Sequence, residues 1–190
     1  AMLTVMNSSV IDLCLLKEKD SLVEKLDSMY VRDELTKLYN RFGMRRYVEK
    51  ILQVAKRDGK HIMCIEMDLD GLKRINDTYG HDAGDNAIVQ IANAMRQASE
   101  RREVCIRSGG DEFLVFGIAE KESDARSFIR RVEDCLDEYN SRNQWPYQVA
   151  CSCGYYVRRA SEINSLEEMV TEADKLLYMV KARRRTTRTS

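Results

Sequence analysis

"EVCIRSGGDEFLVFGIA", residues Glu103–Ala119, reads as two apolar strands joined by a glycine turn that carries two acids. Such a pattern predicts a β-hairpin. Asp111 and Glu112 stand side by side at its tip, where like charges repel. A plain polar turn and a pair awaiting a cation both fit these residues. In a flat strand, neighbouring side chains point to opposite faces. Gly109 and Gly110 are expected to relax that rule by adopting positive φ, so that both acids can face one way.

Upstream of the hairpin, "HIMCIEMD" is mostly apolar and predicts a central strand covered on both faces. A short helix over Leu72–Thr78, a loop at "YGHDAGD" and a long helix over Asn86–Arg101 follow. Downstream, Ser123 or Asp124 starts a helix that runs to Tyr139, and Pro146 precedes the strand "YQVACSCGYYV". The last helix spans Ser165–Arg183, with Ser165 and Glu168 spaced as a capping box. Before the first strand, a helix over Arg41–Arg57 ends near Gly59, and Val10–Tyr30 reads as a helical connector. The central order is βααββαβ. It predicts an α+β fold of ferredoxin-like, palm type: a mainly antiparallel central sheet covered by helices, with an N-terminal helical extension. The expected organisation is a connector over residues 1–30 and one domain over residues 31–190.

Lys plus Arg and Asp plus Glu both number 31, so the chain has no net charge and no general attraction to nucleic acid. The six cysteines include no CxxC pair. Buried free thiols of a reducing, cytoplasmic compartment are expected, not a disulfide framework. Cys151 and Cys153 share a strand face, a poor arrangement for a disulfide. No stretch is long and apolar enough for a membrane span, so no membrane contact is expected of these residues. Ala1 before Met2 reads as a cloning scar, and the expectation is an excised fragment of a parent whose sensor or membrane anchor lies upstream.

Three acids bear on chemistry. Asp68 stands where the first strand runs out; Asp111 and Glu112 meet it if the hairpin pairs beside that strand. Crowded carboxylates raise one another's pKa, and a hard dication such as Mg²⁺ or Mn²⁺ relieves the repulsion. The strand-to-helix turn at Gly71, Leu72 and Lys73 offers free backbone N–H groups to a phosphate. Lys181 and Arg185 lie four apart and suit the far end of a triphosphate; they equally suit a solvated basic helix end. Asn76 and Asp85 bracket the "DTYGHDAG" loop. A carboxylate accepts from guanine N1–H and N2–H, and an amide both donates and accepts. The same two residues also serve as ordinary turn formers.

With these residues in view, the chain resembles the GGDEF domains, the diguanylate cyclases. "SGGDEF" at Ser108–Phe113 matches the signature, "DELTKLYNR" at Asp33–Arg41 the leading motif, "DLDGLKRINDTYGHDAGD" at Asp68–Asp85 the nucleotide-binding segment, and "ADKLLYMVK" at Ala173–Lys181 the C-terminal helix. The resemblance implies condensation of two GTP into cyclic di-GMP, with release of two pyrophosphates, across a homodimer. It implies two Mg²⁺ per active site, held by Asp68, Asp111, Glu112 and the Leu69 carbonyl, with Asp111 or Glu112 assisting loss of the 3′-OH proton. It implies guanine reading by Asn76 and Asp85, and a phosphate grip by Gly71, Leu72, Lys73, Lys181 and Arg185. His81 is expected to be structural. Two departures stand out. The Arg-x-x-Asp window of product inhibition is here Glu100, Arg101, Arg102, Glu103, so no feedback through it is expected. Arg184 replaces a tail glycine, which bears on Arg185 and not on Lys181. Other readings compatible with the resemblance are a catalytically silent GTP-binding or regulatory module, a dimerisation module, and a mixed GMP–AMP cyclase, against which Asp85 argues.

Overall fold

The computed structural model describes residues 30–100, 102–142 and 145–187, with side chains as far as Arg183. The connector read over Val10–Tyr30 lies outside the described residues except for Tyr30. Within them the elements are α1 (Arg41–Arg57), β1 (His61–Leu69), α2 (Leu72–Tyr79), α3 (His81–Ala98), β2 (Glu103–Arg107), β3 (Glu112–Ala119), α4 (Ser123–Arg142), β4 (Cys151–Arg159), a 3-10 turn (Ala160–Glu162) and α5 (Leu166–Thr187).

The four strands form one antiparallel sheet in the order β2-β3-β1-β4. β1 is central, as its apolar run requires, and its two faces feed two cores. Met63, Ile65, Met67 and Leu69 point toward α3 and α4, among Ile91, Met95, Phe113, Val115, Phe128 and Val132. Ile62 and Cys64 point to the other side, where Val48 of α1 and Met169 and Ala173 of α5 meet Leu114 and Phe116. Each of Phe113, Phe116 and Phe128 is fully buried, worth roughly 1.5–3 kcal/mol apiece relative to exposure. The α+β antiparallel expectation therefore holds, with helices on both faces.

Two local expectations change. The segment read as a loop, "YGHDAGD", is almost all helix: α2 ends at Tyr79, Gly80 turns the chain at φ 88°, and α3 begins at His81. A single left-handed residue suffices for the corner, so helix geometry absorbs what polar composition suggested was loop. The hairpin glycines do not have positive φ; among the described glycines only Gly59, Gly71 and Gly80 do. At Gly109 a Cβ would stand 2.8 Å from Oε2 of Glu112, the end of a flexible side chain that folds back over the turn, and at Gly110 it would meet nothing within 4 Å.

Helix ends follow their sequence signals. Asn40 caps α1 by accepting from the N–H groups of Phe42 and Gly43 at 2.9 and 3.0 Å. At the start of α5, Ser165 Oγ accepts from Glu168 N–H at 3.1 Å, while Glu168 reaches back to Asn164. Cys64, Cys105 and Cys135 are free thiols, and Cys151 and Cys153 bring their Sγ atoms to 3.7 Å on one strand face. No described helix is long and apolar enough to cross a membrane.

Candidate active site

The register of β1 against β3 sets Asp68 directly opposite Glu112. Leu69 N–H donates to the Asp111 carbonyl at 3.0 Å, which ties the hairpin tip to the end of β1. Alternation along β1 puts Glu66 and Asp68 on one face, the face that α5 covers. The three acids read from sequence are thus brought to one end of one pair of strands.

Two further acids join them. Glu66 lies in electrostatic reach of Asp174, Glu112 and Asp68. Burial first, and then those carboxylates in that order, push its carboxyl up to about 7; Lys181 acts in the opposite sense. Its Oε2 is buried with no hydrogen-bond partner. Sequence reasoning passed over Glu66, although an acid two residues before Asp68 in an otherwise apolar strand must share its face. Nothing in sequence spacing ties Asp174 to β1.

Asp68 is also raised, mainly by burial. Its ion pair with Lys181 works downward, and Asp111 and Asp70 work upward. Lys181 Nζ stands 2.6 Å from Asp68 Oδ2. Lys181 reaches β1 because α5 lies directly on β4 at Gly154. A Cβ on Gly154 would come 2.8 Å from Leu177 Cβ and would also run into Ala173 O and Leu177 N. Leu177 precedes Lys181 by one helical turn. Asp70 is fixed separately, accepting from Ser152 Oγ at 2.7 Å.

The phosphate candidates sit beside this cluster. Gly71 is left-handed at φ 77° and begins α2 with no side-chain cap on that helix. No side chain therefore caps the first-turn N–H groups at Leu72 and Lys73. Asn76 is in α2 and Asp85 in α3, on either side of the Gly80 corner. Asn76 Oδ1 is buried and has no hydrogen-bond partner, while Asp85 is exposed. Arg185 lies in α5 beyond the last described side chain. Among the described residues, no group of three or more His, Cys, Asp or Glu side chains forms a ready metal site. The Lys181 amine sits at Asp68 and the Glu112 carboxylate lies over Gly109. The donors themselves suit a hard dication: they are carboxylates, gathered at one sheet end, with one buried oxygen unpartnered.

The leading motif braces the signature turn. Arg107 donates to both oxygens of Asp33 at 3.2 Å and to the Gly109 and Gly110 carbonyls at 3.1 and 2.8 Å. Arg41 donates to the Ser108 carbonyl at 2.6 Å. Burial works to raise the Asp33 carboxyl, but hydrogen bonds from Thr36 and then Arg107 outweigh it and hold the group low. This load is not visible along the chain, because Asp33 and Arg107 stand 74 positions apart. At the product-inhibition window, Glu103 accepts from Ser99 Oγ and from the N–H groups of Glu100 and Arg102, and Arg131 pairs with Glu100 at 3.7 Å. Its acids are engaged within the fold; Arg101 lies outside the described residues.

Fold and site together define an α+β domain with acids at the mouth of a glycine hairpin beside an uncapped helix start. Residues 30–187 match the family described as diguanylate cyclase, GGDEF domain, and the chain belongs to that family. It is 32% identical over 151 residues to the probable diguanylate cyclase DgcJ of Escherichia coli, covering 80% of this chain and 29% of that protein. It is also 32% identical over 151 residues to the diguanylate cyclase DgcS of Shewanella oneidensis, covering 79% and 49% respectively. The chain thus spans less than half the length of these relatives. Among solved structures, the diguanylate cyclase SiaD of Pseudomonas aeruginosa, in complex with its activator SiaC, superposes with TM-score 0.77 at 28% identity, covering 94% of this chain and 68% of that one. The coiled-coil and GGDEF portion of DgcB from Caulobacter crescentus, bound to c-di-GMP, gives TM-score 0.78 at 23% identity over 94% of each chain, a likeness of fold.

Proposed function

We propose that this chain is the catalytic domain of a diguanylate cyclase, converting two GTP into cyclic di-GMP and two pyrophosphates. The carrying observation is the pairing of Asp68 opposite Glu112, with the Asp111 backbone tied to Leu69 and Lys181 reaching in from α5. Acids, a cationic side chain and uncapped helix N–H groups are what a metal–triphosphate substrate needs around it.

In this reading Asp68, Asp111, Glu112 and the Leu69 carbonyl hold Mg²⁺, for which Mn²⁺ can substitute. The metal supplies charge neutralisation at the α-phosphate and the leaving pyrophosphate. The chain's own groups do the rest. The N–H groups around Gly71, Leu72 and Lys73 bind the outer phosphates. Lys181 leaves Asp68 to meet them, and Arg185 adds a second cation. Asn76 and Asp85 orient guanine, and rejection of adenine follows because its edge leaves their polar groups unpaired. A signature carboxylate, Asp111 or Glu112, takes the 3′-OH proton. The 3′-oxygen then bonds to the α-phosphorus of the facing GTP while the α–β anhydride bond breaks. Repeating this from the other side closes the ring, and so two copies must face each other across a two-fold axis. Residues upstream of Tyr30 set how they meet in a cytoplasmic domain governed by a sensor elsewhere in the parent protein.

Incubation with GTP and Mg²⁺, with nucleotides resolved by chromatography, tests the reading. Cyclic di-GMP and pyrophosphate in a 1:2 ratio are expected. GTP binding without product would instead establish a silent GTP-binding module.

A further inference from the structure

Gly84 is the fourth residue of α3, in the helix's first turn. It is buried, and its φ is not positive, so the backbone does not demand glycine. Glycine inside a helix is less favourable than alanine. Something other than helix formation accounts for it.

The neighbour explains it. A Cβ built on Gly84 would overlap Asn76 Oδ1, and would stand 2.9 Å from Asn76 Cγ and 3.0 Å from Leu72 Cδ1. Asn76 Oδ1 is the buried oxygen without a hydrogen-bond partner. The amide is thus held in place by shape, against bare backbone, and not by a hydrogen bond to that oxygen. Asp85 is the next residue after Gly84, so the seat of the amide and the exposed carboxylate belong to one helical turn.

We infer that Gly84 is a positioning residue for base recognition: its missing side chain seats the Asn76 amide against α3, in fixed relation to Asp85. The inference rests on Asn76 and Asp85 being the guanine-reading pair. With a β-carbon at Gly84, the overlapped amide must rotate away, while Leu72 Cδ1, at 3.0 Å, need give by only a few tenths of an ångström. Rotation takes the amide out of register with Asp85. Contacts to the triphosphate, made by α2's first turn and by α5, do not depend on that seat. The loss should therefore fall on base preference and not on nucleotide binding as a whole.

The test titrates the full chain, with Mg²⁺, against the α,β-methylene analogues of GTP and ATP, which cannot lose pyrophosphate. Gly84→Ala should weaken the guanosine analogue at least tenfold, leave the adenosine analogue within twofold, and so collapse the preference. Asn76→Ala should lose the preference too, and Gly84→Ala/Asn76→Ala should bind guanosine no worse than Asn76→Ala alone. Thermal melting supplies a readout independent of ligand. Gly84→Ala should melt below wild type, whereas in the Asn76→Ala background the same change should raise the melting point, as alanine ordinarily does in a helix. If Gly84→Ala alone does not fold, the double variant should. A double variant that also fails to fold overturns the inference, since the obstruction is then not Asn76. Full guanosine preference in Gly84→Ala overturns the inference while leaving the base-reading pair standing. Absence of guanosine preference in the wild type removes that pair and the inference with it.

Discussion

The two ends of the central sheet are built on opposite electrostatic rules. At the end where β1 begins, opposite charges meet: Lys60 Nζ lies 2.5 Å from Glu120, with Lys60 partly and Glu120 largely exposed. The Ala160 N–H closes on the Lys60 carbonyl there at 3.0 Å. At the end where β1 stops, like charges meet. Glu66, Asp68, Asp111, Glu112 and Asp174 interact electrostatically, and Lys181 is the cation drawn among them. A fold optimised for stability alone would not place five acids together. The first end teaches what solvent does to a surface ion pair; the second shows a cost retained where a cationic or metal-bound partner would offset it.

The largest expected break in this contrast is at the acid end. Asp111→Ala should lower cyclic di-GMP formation at least about a hundredfold, the scale on which single charge-stabilising groups act. Its melting temperature should stay within about 2 °C of wild type, because an acid at a hairpin tip contributes little to stability. Loss of activity accompanied by a large melting shift would instead mark a folding defect. Omitting Mg²⁺ and adding a chelator should likewise abolish turnover of the unaltered chain, with activity returning on Mg²⁺ or Mn²⁺ addition.

Next comes the brace behind the acids. Arg107→Ala removes the ion-pair partner of the partly buried Asp33, which keeps only its Thr36 hydrogen bonds, and frees the Gly109 and Gly110 carbonyls. Losing such charge-assisted bonds costs about 1–3 kcal/mol. A melting decrease of roughly 3–10 °C should follow, together with slower turnover as the signature turn loosens. Unchanged melting would show that the turn holds its shape without the leading motif.

A smaller effect, with a definite sign in pH, comes from Glu66. Its folded value of about 7 stands above the ordinary 4.5, so between those limits the folded chain holds more protons than the unfolded one. Stability then falls as pH rises through that window and stays at the lower level above it. Glu66→Gln removes the penalty. It should raise the melting temperature by about 2–4 °C at pH 8, corresponding to ~1 kcal/mol after discounting for solvent screening, and change little at pH 4.5 or below. Equal effects at both pH values would assign the change to packing. The smallest effect belongs to the other end of the sheet. Lys60→Ala should cost less than about 1 kcal/mol, as exposed pairs do, and that little should vanish in high salt.

The sequence was most legible where physics is local. α1 was legible at Arg41–Arg57 because its apolar residues fall mostly on one side and the Gly59 stop lies just beyond its end. β1 was legible because its run is mostly apolar, as a strand covered on both faces requires. The α3 start was misread because "HDAGD" is polar and glycine-bearing, and only its contact with α2 reveals why glycine belongs in a helix there. The positive φ expected at Gly109 and Gly110 is likewise absent, and the approach of the Glu112 carboxylate to Gly109 is a through-space fact.

The chain's residues by themselves determined the family, the strand and helix order, and the identity of the three acids, because composition, periodicity and motif spacing are properties of neighbours along the chain. Only the tertiary structure decided which groups meet: Asp68 with Lys181, Glu66 with Asp174, Asp33 with the signature turn, and Asn76 with Gly84. Those meetings depend on strand register and on how closely helices seat against backbone, and contacts between segments far apart in sequence leave no period or spacing to read.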